Sequence, residues 1–143
     1  MNNSEKMLSA IEAQDLVQAE EWFEKALLED SDSILLDLAE YLESIGFFLQ
    51  AKRIYNKLAP LYPQVNLNLA AIASEDGDLE EAFGYLEEIR SNDPWYVNAL
   101  LIKADLYQME GLTDVAREKL LEARSYSDDP LLIFGLAELD SEL

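Results

Sequence analysis

Three glycines recur at a nearly fixed spacing, and this recurrence constrains the fold more than any other feature of the sequence. They are separated by 31 and 34 residues. Each is followed five residues later by an alanine and, four residues after that, by a larger apolar or aromatic residue. A repeat of about thirty to forty residues predicts an array of similar supersecondary units that share one core. The sets are Gly46, Ala51 and Tyr55, then Gly77, Ala82 and Leu86, then Gly111, Ala116 and Leu120.

The same frame extends upstream, with one exception. Ala19 and Phe23 occupy the places of Ala51 and Tyr55, but Gln14 stands where the glycine is expected. The frame therefore predicts four units, of which the first lacks its glycine.

Between these markers the apolar residues recur at intervals of three and four, as in Leu35, Leu38 and Leu42, which is the helical period. No segment sustains the alternation typical of strands. The glycines are expected to end helices, and Asp78, Ser31 to Ser33, and Thr113 with Asp114 to cap helix starts. Pro94 and Pro130 suit first-turn positions. The pattern predicts nine helices, at residues 3–13, 15–29, 33–45, 48–60, 64–75, 79–91, 96–110, 113–126 and 131–142.

The repeated unit resembles the tetratricopeptide repeat (TPR), a helix-turn-helix of about 34 residues. In the second unit, Leu35, Leu38, Ala39, Leu42, Gly46, Ala51, Tyr55 and Pro63 fall on the family's marker positions. Two departures are the absence of the early tryptophan, replaced by Leu35, Asn66 and Leu100, and a short loop from Pro63 to Asn66. The resemblance implies one all-α domain over residues 1–143, a right-handed α-solenoid of antiparallel helix pairs. About four repeats, at 1–30, 31–62, 63–94 and 95–128, precede a final helix at 129–143.

The final helix has two interpretations. It is either a terminal cap or the start of a fifth repeat in a longer array, since Leu136-Ala137-Glu138 repeats Leu38-Ala39-Glu40. A cap needs a polar outer face. The high apolar content of Leu132, Ile133, Leu136, Leu139 and Leu143 favours a fragment of a longer array, or self-association through this end.

Composition restricts the function. Thirty Asp and Glu against ten Lys and Arg give a net charge of -20, which disfavours nucleic acid and anionic lipid and favours cationic partners. The absence of Cys and His removes the usual nucleophile, zinc and disulfide chemistry. No apolar run is long enough to span a bilayer, and no secretory signal is evident. These features predict a cytoplasmic protein that is not an enzyme and needs no cofactor or metal.

Lys52, Arg53 and Lys57 form the densest basic cluster. The repeat frame puts them on the outer side of a second helix, where internal salt bridges are the expected role. An anionic docking patch is the alternative.

In TPR proteins the first helix of each pair lines a concave groove, and the resemblance carries its positions onto this chain. Because the core has residues of its own, four of them are expected to form an apolar stripe along the groove, namely Leu36, Leu67, Leu101 and Phe134. With an acidic rim, such a stripe suits a basic amphipathic peptide or helix. The chain's own termini or a second copy could fill the stripe instead. The leading interpretation is a non-catalytic scaffold that binds a cationic protein partner, and the alternative is a module that dimerises through its C-terminal helix or groove. The implied groove residues are Leu36, Glu40, Glu43, Leu67, Ala71, Glu75, Leu101, Asp105, Gln108, Phe134 and Glu138.

Overall fold

The computed structural model of the chain describes residues 1–142, with the backbone alone at 131, 133 and 140–142. Within this range nine α-helices form and no strand does, which confirms the all-α prediction. They are α1 (Asn3–Glu12), α2 (Leu16–Glu29), α3 (Asp32–Ser44), α4 (Phe48–Leu58), α5 (Val65–Glu75), α6 (Leu79–Glu87), α7 (Tyr96–Met109), α8 (Thr113–Arg124) and α9 (Pro130–Glu142).

The turn between the helices of each pair has a positive φ at one residue. Gly46, Gly77 and Gly111 have φ values of 88°, 78° and 79°. Gln14 has a φ of 60° and is the one non-glycine residue with a positive φ in the described chain. The repeat frame thus located this conformation correctly even where the glycine is missing.

Side-chain caps begin several helices as the sequence indicates. The Asp78 carboxylate accepts the Glu81 N–H at 3.0 Å, and the Ser31 hydroxyl accepts the Ile34 N–H at 3.4 Å. The prediction for Thr113 is wrong, because it is already the first residue of α8 and Leu112 precedes the helix without a side-chain cap. Pro130 begins α9 as expected, whereas Pro94 lies in the turn ahead of α7.

Helix α6 ends four residues before the predicted boundary at residue 91. Asp93 is the cause, because its carboxylate accepts the Arg90 N–H at 2.8 Å and its own N–H donates to the Arg90 carbonyl at 2.9 Å. This closed turn replaces the helical pattern after Ile89.

Residues 1–65 form one compact unit that contains two helix pairs. Helix α1 packs on α2 and α3 packs on α4, with Ala19 and Ala51 buried at the predicted positions. The Asp30 carboxylate joins α1 to the end of α2, since it accepts from the Ser4 N–H at 2.9 Å, the Ser4 hydroxyl at 2.6 Å and the Asn3 amide at 3.1 Å.

Residues 66–143 form the second compact unit. One core cluster there joins α5, α6 and α7 around Ala82 and Leu86. Another joins α7, α8 and α9 around Ala116 and Leu120. Ala82 and Ala116 are fully buried, as a close crossing of helices requires.

The buried positions of α9 correct the predicted register of this helix. Leu132, Leu136 and Leu139 are buried with the spacing of Leu35, Ala39 and Leu42, so Leu136 corresponds to Ala39 rather than to Leu38. Gly135 faces α8, where a Cβ atom would lie 3.3 Å from Leu120 Cδ1. A glycine at this close approach of the two helices is compatible with the register in which Leu132, Leu136 and Leu139 are buried. Leu143 lies outside the described residues, so its predicted role is not addressed.

Candidate partner-binding surface

The implied groove residues of the first unit lie on α3, one face of which is buried. Leu36 is half-buried and Glu40 is exposed. Glu43 is half-buried because it meets the helix partner: the Tyr55 hydroxyl, on α4, donates to its Oε1 at 2.8 Å. Glu43 therefore also links the two helices of the pair, a contact that the sequence interpretation did not foresee.

Two apolar groove residues of the second unit belong partly to the core. Leu67, on α5, packs against the cluster around Leu86, and Leu101, on α7, packs against the cluster around Leu120. The sequence interpretation that these residues stand apart from the core is wrong. The reason is that the repeat frame gives the phase of a residue on its helix but not how far the neighbouring helix covers it.

The remaining implied residues of α5 and α7 are mostly polar and accessible. Ala71 and Glu75 are exposed one turn apart on α5. On α7, Asp105 is exposed and Gln108 is half-buried.

The last two implied residues lie on α9. Phe134 is 65% exposed and Glu138 is also exposed. In the register given by the buried leucines, Phe134 corresponds to Asp37, one position beyond Leu36. Phe134 thus differs from the half-buried Leu36, Leu67 and Leu101 with which the sequence grouped it.

Three carboxylates on these first helices, one in the first unit and two in the second, have no partner among the described residues. In the part of the molecule that the structure describes, the side chains of Glu40, Glu75 and Asp105 make neither an ion pair nor a hydrogen bond. Partial desolvation raises the pKa of the Asp105 carboxyl although the side chain is exposed. Desolvation of a carboxylate without a counterion costs free energy in the folded state, and a bound cation offsets this cost.

The basic cluster of α4 is engaged internally, as the sequence predicts. Arg53 donates to Glu24 from both terminal nitrogens of its guanidinium group, at 2.5 and 3.2 Å, and lies 3.8 Å from Glu20. The hydrogen bond with Glu24 raises the pKa of Arg53, and the same bond lowers the pKa of Glu24. Lys57 donates to the Leu27 carbonyl.

Lys103 is a buried charged residue that the sequence interpretation overlooked. It occupies the place of Leu38 and Leu69 in the repeat, and its side chain is only 7% exposed. Its ammonium group lies 2.9 Å from Glu87 Oε1, so α6 and α7 share an ion pair at the edge of the core. The break in the apolar pattern at a core position was the available signal.

The described residues contain no group of three or more Asp or Glu side chains placed to hold a metal ion. No helix among them combines the length and the apolar character that crossing a membrane requires.

Comparison with known proteins adds one relative. No protein-family model matches the chain. The chain is 36% identical over 120 residues to the TPR repeat-containing protein YpiA of Bacillus subtilis (strain 168), and the match covers 81% of the chain. The matched segment spans 28% of the length of that relative. This relative agrees with the helix pairs and with the buried alanines after each glycine turn. The chain is therefore a tetratricopeptide-repeat protein.

Proposed function

We propose that the chain is a non-catalytic scaffold whose first helices bind a cationic segment of a partner protein. The observation that carries the proposal is the pair of accessible, unpaired carboxylates Glu75 and Asp105 in the second unit, at positions that face the groove in this family; in the first unit Glu40 is an accessible, unpaired carboxylate at the position equivalent to Asp105. The relative's repeats agree with a protein-binding role. The cytoplasmic location stays a prediction of the sequence.

Charge within each unit supports a cationic partner. Residues 1–65 carry 12 acidic side chains against five basic ones, and residues 66–143 carry 18 against five. An excess of one sign attracts the opposite charge and rejects anionic partners. Because Leu67 and Leu101 lie partly in the core, the contribution of an apolar stripe is smaller than the sequence suggests, and the acidic side chains carry more of the binding.

The proposal is tested with a fluorescent synthetic helix of alanine, lysine and leucine, with the lysines on one face. The double substitution Glu75→Gln with Asp105→Asn should weaken its binding by about tenfold, the effect expected of two partly exposed ion pairs. The matched control is Glu88→Gln with Glu118→Gln, which removes the same charge from exposed acids beside or on α6 and α8. Anisotropy titrations at low and at physiological salt measure both variants.

We expect the control to bind nearly as well as the unchanged protein. If both double variants weakened binding equally, the effect would depend on net charge and not on the position of the acids, and the proposal would be overturned. The unchanged protein should also lose affinity as salt rises, because screening weakens contacts between exposed charges.

A further inference from the structure

The outer face of α2 exposes apolar side chains that no helix of the first unit covers in the described chain. Val17 and Leu28 are 75% and 85% exposed, and Leu16 is 59% exposed. Val17, Glu21, Glu24 and Leu28 follow one another at intervals of four, three and four residues, so they share one stripe of the helix. At the rise of an α-helix, Val17 and Leu28 are about 16 Å apart along this stripe.

Two shallow recesses lie along this face. The first, of about 510 Å³, is lined by Leu16, Val17, Glu20, Glu21 and Glu24. The second, of about 460 Å³, lies between α2 and α4 and is lined by Glu24, Leu27, Leu28, Arg53, Asn56 and Lys57. Glu24 lines both, so the two recesses adjoin at this residue.

The charges of the first recess indicate what it can accept. Glu24 is already held by Arg53, whose guanidinium lies over the Phe23 ring at 5.2 Å from its centre. In this internal pair a carboxylate of α2 holds a guanidinium that lies over an aromatic ring. Glu21 makes no ion pair within the described residues, and Glu20 meets Arg53 only at 3.8 Å.

We propose that this face of α2 is a second binding surface, for a cationic amphipathic segment of a partner protein. An arginine or lysine of the partner places its aliphatic stem on Leu16 and Val17 and its charged end at Glu20 and Glu21. An apolar side chain about eleven residues away along a helical partner occupies the second recess against Leu27 and Leu28. This surface consists of a second helix and is distinct from the first-helix carboxylates of the proposed function.

A partner of opposite charge fits better than a second copy of this chain. Each copy carries a net charge of -20, so two copies repel each other even though Arg53 and Lys57 line the second recess of each. The same carboxylates oppose phosphate groups, whether of lipid or of nucleic acid.

The test uses a synthetic alanine-based helix with two leucines eleven residues apart and arginines between them on the same face. Amide chemical-shift changes in labelled protein locate its binding. We expect shifts in α2 and at the Leu28 end of the second recess, and we call the binding that causes them the α2 component. Val17→Ser, Leu28→Ser and Glu21→Gln should each weaken the affinity of the α2 component by about three- to tenfold. A peptide with glutamates in place of the arginines should leave α2 unperturbed.

Leu49→Ser is the matched control, since Leu49 is 76% exposed on α4 and lines neither recess. It should leave the α2 component unchanged, and Glu75→Gln with Asp105→Asn should affect only the shifts of α5 and α7. If Val17→Ser lowers the melting temperature, Glu21→Gln carries the test, because its charge is removed at an exposed site.

Three results would overturn the proposal. The first is an α2 component that persists unchanged in Val17→Ser and Glu21→Gln. The second is an equal loss of that component in Leu49→Ser. The third is a dimer in sedimentation that Val17→Ser dissociates, which would assign the face to a second copy.

Discussion

Gln14 has a backbone conformation that favours glycine. Its φ of 60° lies in the left-handed region, where a side chain costs about 1–2 kcal/mol relative to glycine. Gln14→Gly should therefore raise the free energy of unfolding by about 0.5–1 kcal/mol, after the greater freedom of glycine in the unfolded chain is subtracted. Urea denaturation measures the change.

The converse substitution is the control. Gly77 has a φ of 78°, and a Cβ atom added there meets no atom within 4 Å. Gly77→Ala should consequently lower the free energy of unfolding by about 1 kcal/mol through backbone strain alone. If Gln14→Gly destabilises the protein instead, the turn at residue 14 is not equivalent to the glycine turns.

Tyr96 contributes to the free energy of unfolding in a way that depends on pH in the alkaline range. Its hydroxyl donates to Glu122, and this hydrogen bond, with burial, raises the pKa of Tyr96 to about 12. Because the folded pKa lies above the usual value of 10, the contribution is complete below about pH 10 and disappears as pH rises toward 12.

Tyr96→Phe should lower the free energy of unfolding by about 1 kcal/mol at neutral pH. Its deficit against the unchanged protein should shrink between pH 10 and 12, because the tyrosine then loses its proton. Urea unfolding across this range compares the two proteins, and a deficit that stays constant would contradict the assignment.

At the scale of the element, two carboxylates at the end of α2 hold the N-terminal helix: Glu29 accepts one hydrogen bond from Asn3, at 2.9 Å, and Asp30 accepts the others. Asp30 accepts three hydrogen bonds from Asn3 and Ser4, and so joins the start of α1 to the end of α2. Asp30→Ala should cost about 1–3 kcal/mol and should accelerate amide hydrogen exchange in α1 more than in α3 or α4.

Asp37→Ala is the matched control for this experiment. Asp37 is an exposed acid on α3 whose side chain makes no hydrogen bond or ion pair within the described residues, so its loss should change stability by less than about 0.5 kcal/mol. Uniform acceleration of exchange over α1 to α4 after Asp30→Ala would show that the carboxylate does not act on α1 in particular.

Helix existence could be read from the sequence because the helical period, the glycine turns and caps such as Asp78 act locally. Helix ends and registers that depend on a single side-chain contact could not. The Asp93 carboxylate binds the Arg90 N–H where α6 ends early, and the helical period alone does not reveal this turn. In α9, Gly135 lies against Leu120, a contact between neighbouring helices that the repeat frame does not show.

At the scale of the whole molecule, the candidate surface could be predicted in part. The repeat frame predicted that Glu40, Glu75 and Asp105 are exposed, because this prediction requires only the position of each residue around its helix. The frame could not show that Leu67 and Leu101 reach the core clusters, since this depends on how closely adjacent helices pack. The exposed face of α2 was not predicted, because the sequence does not show whether a leucine such as Leu28 is buried or exposed.

The account depends on four equivalent small residues along the molecule: Ala19, Ala51, Ala82 and Ala116 are all buried five residues after a left-handed turn. The most direct measurement is the free energy of unfolding after each is changed to leucine, with Ala71→Leu at an exposed position as the control. Each buried substitution should cost about 1–3 kcal/mol, because an isobutyl side chain in place of a methyl group separates the packed helices, whereas Ala71→Leu should change stability by less than about 0.5 kcal/mol. If leucine at Ala51, Ala82 and Ala116 is tolerated as well as leucine at Ala71, the repeated helix pair does not organise this chain.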